Sequence, residues 1–295
     1  MIVAQITDTH IVHGVPDADR RVADLARTIA DINALDPLPD AIIHTGDVAH
    51  GGRPEDYALV ASLFAAARAP VYVAPGNRDH REHLRAAFAG GPCRATDPSF
   101  LDYTVEDLPV RLLALDTVTT ASNKGEFCAE RVDRLIERID ADSTKPIAVF
   151  MHHPPYVVTV GPDPLNFTSP EAMHRLQHAL QHAGRVIAVF CGHVHRSTGG
   201  WIGAIRVMVA PCTATTLRKG DFPQALRDRP IYHLHRYDPA FGFSTEAPAP
   251  QQGGNRLHGG AAKECPEHAV QGTLTGTASF LNGTVNVFAV GHAVL

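Results

Sequence analysis

The stretch VIAVFCGHVH, residues 186–195, decides the fold of this chain because it joins a buried strand to two histidines. Residues 186–191 form a short run of apolar residues, which is typical of a strand inside a sheet. Gly192 ends the run, and His193 and His195 follow it. Four other apolar runs end in residues able to bind a metal: Asp8-Thr9-His10 after residues 2–6, Gly46-Asp47 after 41–45, Gly76-Asn77-Arg78-Asp79 after 71–74 and His152-His153-Pro154 after 146–151.

Strand-like and helix-like segments alternate over the first 210 residues. Further strands are predicted at 111–116 and 205–210, and helices at about 18–34, 55–68, 80–89, 127–140 and 169–183. Such alternation predicts an α/β layered fold with a largely parallel sheet. Ligands in these folds bind beyond the carboxyl ends of the strands, and all five motifs lie at such ends.

The metal-binding side chains of the five motifs are carboxylates, imidazoles and one amide. This mixture suits Fe, Mn, Co or Zn better than Ca or Mg, which prefer shells made only of oxygen. Together the motifs indicate a site in which two divalent metal ions hydrolyse phosphate esters. The formal net charge of -5 argues against a nucleic-acid polymer as partner, because proteins that bind one usually carry a basic patch. An acidic chain must hold an anionic substrate through its metals.

One domain is predicted over residues 1–246, where the regular pattern ends in a hairpin at about 231–245. Residues 247–254 are rich in Pro, Gln and Gly and predict a linker. The Gly- and Thr-rich tail at 255–295 stays unassigned: an added hairpin, an oligomer contact and a poorly ordered end are all compatible with its composition. A homo-oligomer therefore remains an open expectation.

The location expected from the sequence is the cytoplasm. No apolar run approaches the length that crosses a bilayer, so no membrane partner is expected. Residues 1–6 have the pattern of a strand and not of a secretory signal. The five cysteines are scattered and include no Cys-x-x-Cys pair, which is typical of free thiols in a reducing compartment.

Over about residues 1–240 the chain resembles the calcineurin-like metallophosphoesterases, and within them the bacterial class III cyclic-nucleotide phosphodiesterase and glycerophosphodiesterase group. The resemblance rests on the five motifs and on four further segments: Gly52–Tyr57, Arg111–Asp116, Lys124–Glu126 and Phe150–Pro155. It implies a four-layer αββα sandwich, in which two mixed β-sheets are flanked by helices. It also implies a small-molecule phosphodiester substrate, of the glycerophosphodiester, cyclic nucleotide or aryl diester type.

The resemblance assigns the metal ligands residue by residue. The first ion would be held by Asp8, His10, Asp47 and His195, and the second by Asp47, Asn77, His152 and His193. Asp47 would bridge the two ions, since a carboxylate has two oxygens. A hydroxide held by the ions would then attack phosphorus, because coordination lowers the pKa of water towards neutrality. Asp47, Asn77 and Arg78 are the expected catalytic residues.

The chain departs from the family pattern at Arg78, where a histidine normally stands near the leaving group. An arginine stays charged and cannot act as a general acid, although it can bind a phosphoryl oxygen. His80 or a water would then supply the proton. Two alternatives to a phosphodiesterase remain open. One is a phosphomonoesterase that uses Arg78 to bind a terminal phosphate, and the other is a catalytically silent metal-binding protein.

Several other residues have two interpretations. His80, His153 and His50 are candidate substrate-binding residues, although His50 could equally be a surface residue and His153 could support a ligand from behind. Asp79 could cap the following helix. Two further sets of histidines share a face in their predicted elements: His174, His178 and His182 form either a second metal site or a solvated stripe, and His233 and His235 could border the substrate site.

Overall fold

The computed structural model describes residues 1–142, 144–159 and 164–248. The strands are β1 Ile2–Ile6, β2 Ala41–Thr45, β3 Val71–Ala74, β4 Tyr103–Val105, β5 Arg111–Ala114, β6 Ile147–Phe150, β7 Val186–Cys191, β8 Thr198–Ile202, β9 Ile205–Val209, β10 His233–Asp238 and β11 Gly242–Glu246. The helices are α1 Ala18–Asn33, α2 Pro54–Phe64, α3 Arg81–Phe88, α4 Ala129–Asp140, α5 Pro170–Leu180 and α6 Gln224–Arg227, with a 3₁₀ turn at His182–Gly184.

The strands form two mixed sheets. The first sheet has the order β11-β10-β1-β2-β3, in which β1, β2 and β3 are parallel and the hairpin β10–β11 is antiparallel. The second has the order β4-β5-β6-β7-β9-β8, in which the four central strands are parallel and both edge strands are antiparallel. The expected αββα sandwich and the expected final hairpin are therefore confirmed.

The alternation of side chains along β7 explains the layering. Ala188 and Phe190 belong to the buried cluster that contains the first sheet, whereas Val189 and Cys191 belong to the cluster that contains α4 and α5. Successive residues of a strand point to opposite faces, so each central strand can be apolar throughout. Helices α1–α3 pack with the first sheet and α4–α5 with the second. Between the sheets, the Gln5 side chain donates to the Cys191 carbonyl at 2.8 Å.

The helix starts and ends follow local chemistry. Ser169 caps α5 by accepting a hydrogen bond from the Ala172 backbone N–H, as the Ser-Pro-Glu pattern predicts. The predicted helix over 169–183 ends earlier, at Leu180, and Ala183 has a left-handed backbone with φ of 58°. The predicted cap at Asp79 is wrong, since the residue at the start of α3 is His80.

Two further sets of histidines lie on β10 and along α5 with the turn that follows it. His235 is buried between the sheets, where its ring stacks on Phe190 at 4.1 Å. The predicted position at the substrate site is therefore wrong for His235. His233 is buried beside it with its Nε2 3.2 Å from Ser197 Oγ, and its position at the border of the substrate site stays a prediction. His174 and His178 are exposed, and His182 Nε2 lies 3.0 Å from Asp140 Oδ1, within hydrogen-bond distance. Among the described residues these three histidines do not form a cluster that could hold a metal, which favours the solvated stripe.

Some sequence predictions lie outside the described residues. They concern the C-terminal tail at 255–295 and the part of the predicted linker that follows residue 248. Across the ranges that the structure describes, no helix is long and apolar enough to cross a membrane.

Candidate metal centre

The predicted ligand loops begin where β1, β2, β3, β6 and β7 end, at one side of the sandwich. Their backbones turn sharply there. A left-handed conformation is uncommon for residues other than glycine, and such strained residues cluster at functional sites. It occurs at five of the predicted ligands, with φ of 51° at Asp8, 45° at His10, 55° at Asp47, 71° at His193 and 59° at His195.

Two glycines allow the loops to approach each other closely. A Cβ atom at Gly76 would lie 2.2 Å from the Asp47 backbone nitrogen and 2.3 Å from its Oδ1. A Cβ atom at Gly192 would lie 2.0 Å from Thr7 Oγ1 and 2.6 Å from Asp8 Oδ2. Neither contact is sterically possible, so the presence of glycine at both positions is what lets the loops meet.

The first ligand group consists of Asp8, His10, Asp47 and His195, whose donor atoms all lie within 4.8 Å of one another. Asp8 Oδ1 is 3.2 Å from His195 Nε2, and Asp47 Oδ2 is 3.5 Å from His10 Nε2. The Nε2 atoms of His10 and His195 are only 3.2 Å apart. Asp8 Oδ1 is buried and has no hydrogen-bond partner of suitable geometry among the described residues. A buried, unpartnered carboxylate oxygen facing two imidazole nitrogens fits a cation.

The second ligand group consists of Asn77, His152 and His193, and it is joined to the first by Asp47. Asn77 Oδ1 lies 3.1 Å from His152 Nε2 and 3.0 Å from His193 Nδ1. Asp47 Oδ1 lies 3.5 Å from His152 Nε2. Donors bound at about 2.0–2.2 Å around one ion would have separations of this order. The structure thus brings together all seven residues predicted as ligands, with Asp47 reaching both groups.

The outer nitrogens of the histidines fix the orientation of the rings. His152 Nδ1 lies 2.8 Å from the Thr45 carbonyl, and His195 Nδ1 lies 2.9 Å from the Leu217 carbonyl. A carbonyl only accepts, so each Nδ1 carries a proton, and each Nε2 is the ring nitrogen that faces the centre and would bind a metal. His10 has a different outer partner, since its Nδ1 lies 3.2 Å from Nδ1 of His50.

The loops that carry Asp47 and Asn77 are tied together by Asp79. Its carboxylate accepts hydrogen bonds from the backbone N–H groups of Val48, Ala49 and Gly76 and from the Tyr57 hydroxyl. These bonds explain why Asp79 does not cap α3. The carboxylate serves the ligand loops instead.

The histidines of the centre shift the pKa values of its two carboxylates. Burial raises the pKa of Asp47, but His152 and His10 outweigh this effect and lower it to about 2. Burial likewise opposes the shift at Asp8, whose pKa is nevertheless held well below its usual value chiefly by His195. Both carboxylates therefore remain ionised in a buried site, and this requires positive charge beside them.

The remaining predicted residues surround the centre. The Arg78 backbone N–H donates to Asp47 Oδ1 at 2.8 Å, and the residue is exposed. His50 contacts His10, as described above, so it lies at the centre and not on a remote surface. His153 is buried, with Nδ1 2.8 Å from Thr117 Oγ1 and its ring 4.6 Å from that of His193. A direct contact of His153 with substrate stays a prediction.

A polar cleft of about 710 Å³ opens beside the second ligand group. Its lining consists of Asn77, Asp79, His80, Arg81, Glu82, Pro98 and residues 118–123. The loop at 118–123 was missed as a functional segment by sequence reasoning. Its signal is the hydroxyl-rich run Thr119-Thr120-Ala121-Ser122-Asn123, which follows β5 on the same side of the sandwich.

Comparisons with known proteins agree with the fold and the site. The family model of calcineurin-like phosphoesterases matches residues 1–197. The chain is 32% identical over 253 residues to a probable glycerophosphodiester phosphodiesterase of Arcobacter nitrofigilis, covering 83% of this chain and 92% of that protein. It is 30% identical over 231 residues to a cAMP/cGMP dual specificity phosphodiesterase of Mycobacterium tuberculosis, covering 73% and 68%.

A similar fold occurs in the crystal structure of a dimetal phosphatase from Danio rerio. The TM-score is 0.62 at 12% identity, and the match covers 80% of this chain and 92% of that chain. At this identity the likeness concerns the fold alone.

Proposed function

This chain belongs to the calcineurin-like phosphoesterase family, and on that premise we propose that it is a binuclear metal-dependent phosphodiesterase acting on small phosphodiesters. The observation that carries the proposal is the position of Asp47. Its two oxygens reach two separate sets of nitrogen and oxygen donors, as a bridge between two ions requires. Relatives named as phosphodiesterases support the diester as the substrate type.

The residues fit a pair of divalent metal ions. One ion would be held by Asp8, His10, Asp47 and His195, and the other by Asp47, Asn77, His152 and His193. The mixed oxygen and nitrogen donors favour Fe, Mn, Co or Zn. When bound, such ions supply an activated water and neutralise charge on the phosphoryl oxygens.

The protein's own groups orient the substrate and the bridge. The Arg78 backbone N–H donates to the Asp47 carboxylate. The Arg78 side chain is exposed and has no hydrogen bond or ion pair with any described residue, so the guanidinium is available to bind a phosphoryl oxygen. His50 and Arg78 lie close enough to interact electrostatically: burial lowers the pKa of His50, and the charges of His10, Arg21 and Arg78 add to this effect. An anionic phosphate is therefore attracted to this rim.

The cleft favours a small polar alcohol as the leaving group. The hydroxyl-bearing residues Thr119, Thr120 and Ser122 line it, together with charged residues. No Phe, Tyr or Trp occurs among the described residues of this lining, so the His80 imidazole is the one aromatic ring that the described lining offers to a nucleobase. We therefore favour glycerophosphodiesters over cyclic nucleotides as substrates.

The experiment that tests the function combines metal analysis with hydrolysis of bis(p-nitrophenyl) phosphate and p-nitrophenyl phosphate after addition of Mn, Co or Zn. About two ions per chain with preferential diester turnover are expected. Preference for the monoester would support a phosphatase that uses Arg78. Full metal occupancy without turnover of either substrate would support the silent metal-binding alternative.

A second assay sets glycerophosphocholine against cyclic AMP. Faster turnover of the glycerol ester is expected from the cleft. Faster turnover of cyclic AMP would contradict the substrate preference but not the phosphodiesterase activity.

The proposal also covers the cellular compartment and the oligomeric state. The four described cysteines, Cys93, Cys128, Cys191 and Cys212, are free. Unpaired thiols support a reducing, cytoplasmic compartment. Assembly into a homo-oligomer stays a prediction.

A further inference from the structure

Hydrolysis of an alkyl phosphodiester leaves a proton to be placed. The water oxygen forms a new bond to phosphorus, the bond from phosphorus to the ester oxygen breaks, and its electron pair stays on that oxygen. An alkoxide is a poor leaving group, so a positioned acid contributes strongly to this step. Arg78 cannot serve, because a guanidinium does not release its proton at working pH.

The polar cleft beside Asn77 is the space into which the alcohol would depart. Its lining contains four ionisable side chains, Asp79, His80, Arg81 and Glu82. Asp79 is occupied by the hydrogen bonds that join the ligand loops. Arg81 is paired with Asp116 at 2.6 Å and is a guanidinium. The Glu82 carboxylate would repel an anionic diester. Of these four side chains, His80 is the one that remains as a possible proton donor.

The backbone of His80 is held in place while its ring faces the solvent. Its backbone N–H donates to the Tyr57 hydroxyl at 2.8 Å, and that hydroxyl donates to Asp79 Oδ1 at 2.9 Å. The same Asp79 carboxylate fixes the loop that carries Asp47. His80 is therefore linked through three hydrogen bonds to the loop that carries Asp47.

The ring of His80 is oriented by a neighbouring imidazole. It stacks on His83 with the ring centroids 4.1 Å apart and the planes inclined by 25°. His83 is itself anchored, because its Nδ1 lies 2.7 Å from the Gly52 carbonyl. Within the described part of the chain, no hydrogen bond engages the His80 ring nitrogens, and the residue is exposed. The ring is thus available to a group in the cleft.

We propose that His80 is the general acid of the reaction, an inference that rests on the proposed phosphodiesterase function. The imidazolium transfers its proton to the ester oxygen as the bond to phosphorus breaks, so the product leaves as a neutral alcohol. The imidazole that remains regains a proton from solvent, into which the attacking water has released one. No oxidant, reductant or further reactant takes part.

The test is the dependence of His80→Gln on the leaving group. Nitrophenolate departs without protonation, whereas choline or glycerol requires a proton. The variant should lose about 10²- to 10⁴-fold in kcat for glycerophosphocholine, and less than about threefold for bis(p-nitrophenyl) phosphate. Bound metal, measured by elemental analysis, should equal that of the wild type. His178→Gln serves as the exposed-histidine control and should leave both rates unchanged.

The outcomes separate this inference from the function on which it rests. An equal loss on both diesters, or no loss on either, would overturn the role of His80 while leaving the phosphodiesterase in place. Reduced metal content in His80→Gln would also overturn it, since the defect would then lie in the centre. Absence of diester turnover by the metal-loaded wild-type protein would overturn the proposed function, and the inference with it.

Discussion

Replacement of Asp47 by alanine should weaken both halves of the metal centre at once. Asp47 Oδ2 lies 3.5 Å from His10 Nε2 in the first ligand group, and Oδ1 lies 3.5 Å from His152 Nε2 in the second. No other residue of the seven faces both groups. The substitution therefore removes one of four donors from each proposed ion.

The size of the effect follows from what each group retains. The first group keeps the Asp8 carboxylate and two imidazoles, whereas the second keeps Asn77 and two imidazoles and so loses its only negative charge. Loss of an outer partner of a ligand typically costs 10- to 100-fold in metal affinity, so about 100-fold is a lower bound for a ligand. This corresponds to a loss of about 2.7 kcal/mol in the free energy of metal binding at each site. The second site should be weakened more than the first.

The assay is calorimetric titration of the metal-free protein with Zn or Mn, with elemental analysis after gel filtration. Asp47→Asn is the matched control: its amide oxygen can still accept from the Arg78 N–H, but it lacks the charge and the second oxygen. The asparagine variant should therefore fold like the wild type yet bind metal weakly. Thermal unfolding of the metal-free proteins checks that the alanine variant is folded.

Two results would refute the reasoning. Two ions per chain bound with wild-type affinity in Asp47→Ala would show that the carboxylate bridges nothing. Loss of one ion with full retention of the other would show that Asp47 serves a single site and that the second group holds its ion without a carboxylate.

Three further substitutions test the close approach of the ligand loops, the role of Arg78 and the burial of His235. Gly76→Ala places a methyl group 2.2 Å from the Asp47 nitrogen and should cost about 1–3 kcal/mol in the free energy of unfolding while lowering bound metal, as measured by urea titration and elemental analysis. Arg78→His adds a proton donor, so the ratio of alkyl to aryl diester turnover should rise by about tenfold at unchanged metal content. Burial lowers the pKa of His235 well below 6.5, so the unfolded chain binds more protons in acid, and stability is lost as the pH falls below that value. His235→Gln should reduce this slope by up to about 1.4 kcal/mol per pH unit, as measured by urea unfolding between pH 5 and 7.5.

Each of these expectations has a contradicting result. Normal stability and metal content in Gly76→Ala would show that the loops can separate without cost. Arg78→Lys keeps the charge without the guanidinium fork, so a raised ratio in that variant would place the effect of Arg78→His elsewhere. An unchanged pH slope in His235→Gln would show that this ring accepts a proton in the folded state.

The strands and the metal-ligand motifs were predictable because their signals are local. An apolar run of four to six residues followed by Gly-Asp or Gly-His is visible without knowledge of the rest of the chain. The missed strands had weaker signals: β4 has only three residues, and β8 contains Gly199 and Gly200. Both are edge strands, whose pairing depends on a neighbour supplied by the fold.

The errors about individual side chains have a different origin. Asp79 precedes a helix, so its local position indicated a cap, yet its partners Tyr57 and Val48 come from other loops. His235 follows the alternation of a strand, but only the packing of two sheets shows that its ring is covered by Phe190. In both cases the deciding contact joins residues distant in sequence, and no local pattern records it.

Without its ions the metal centre contains several locally unfavourable features. Five predicted ligands have left-handed backbones, which cost about 1–3 kcal/mol each. Asp8 Oδ1 is buried without a hydrogen bond, and imidazole nitrogens face each other at 3.2 Å in both ligand groups. None of these features improves the packing of the sandwich. A cation shared among the donors would satisfy the buried oxygen and the facing nitrogens, and its binding would offset the cost of the backbone conformations. The sandwich must therefore be stable enough to hold the loops in this arrangement, and this is why the ligands follow directly from buried strands.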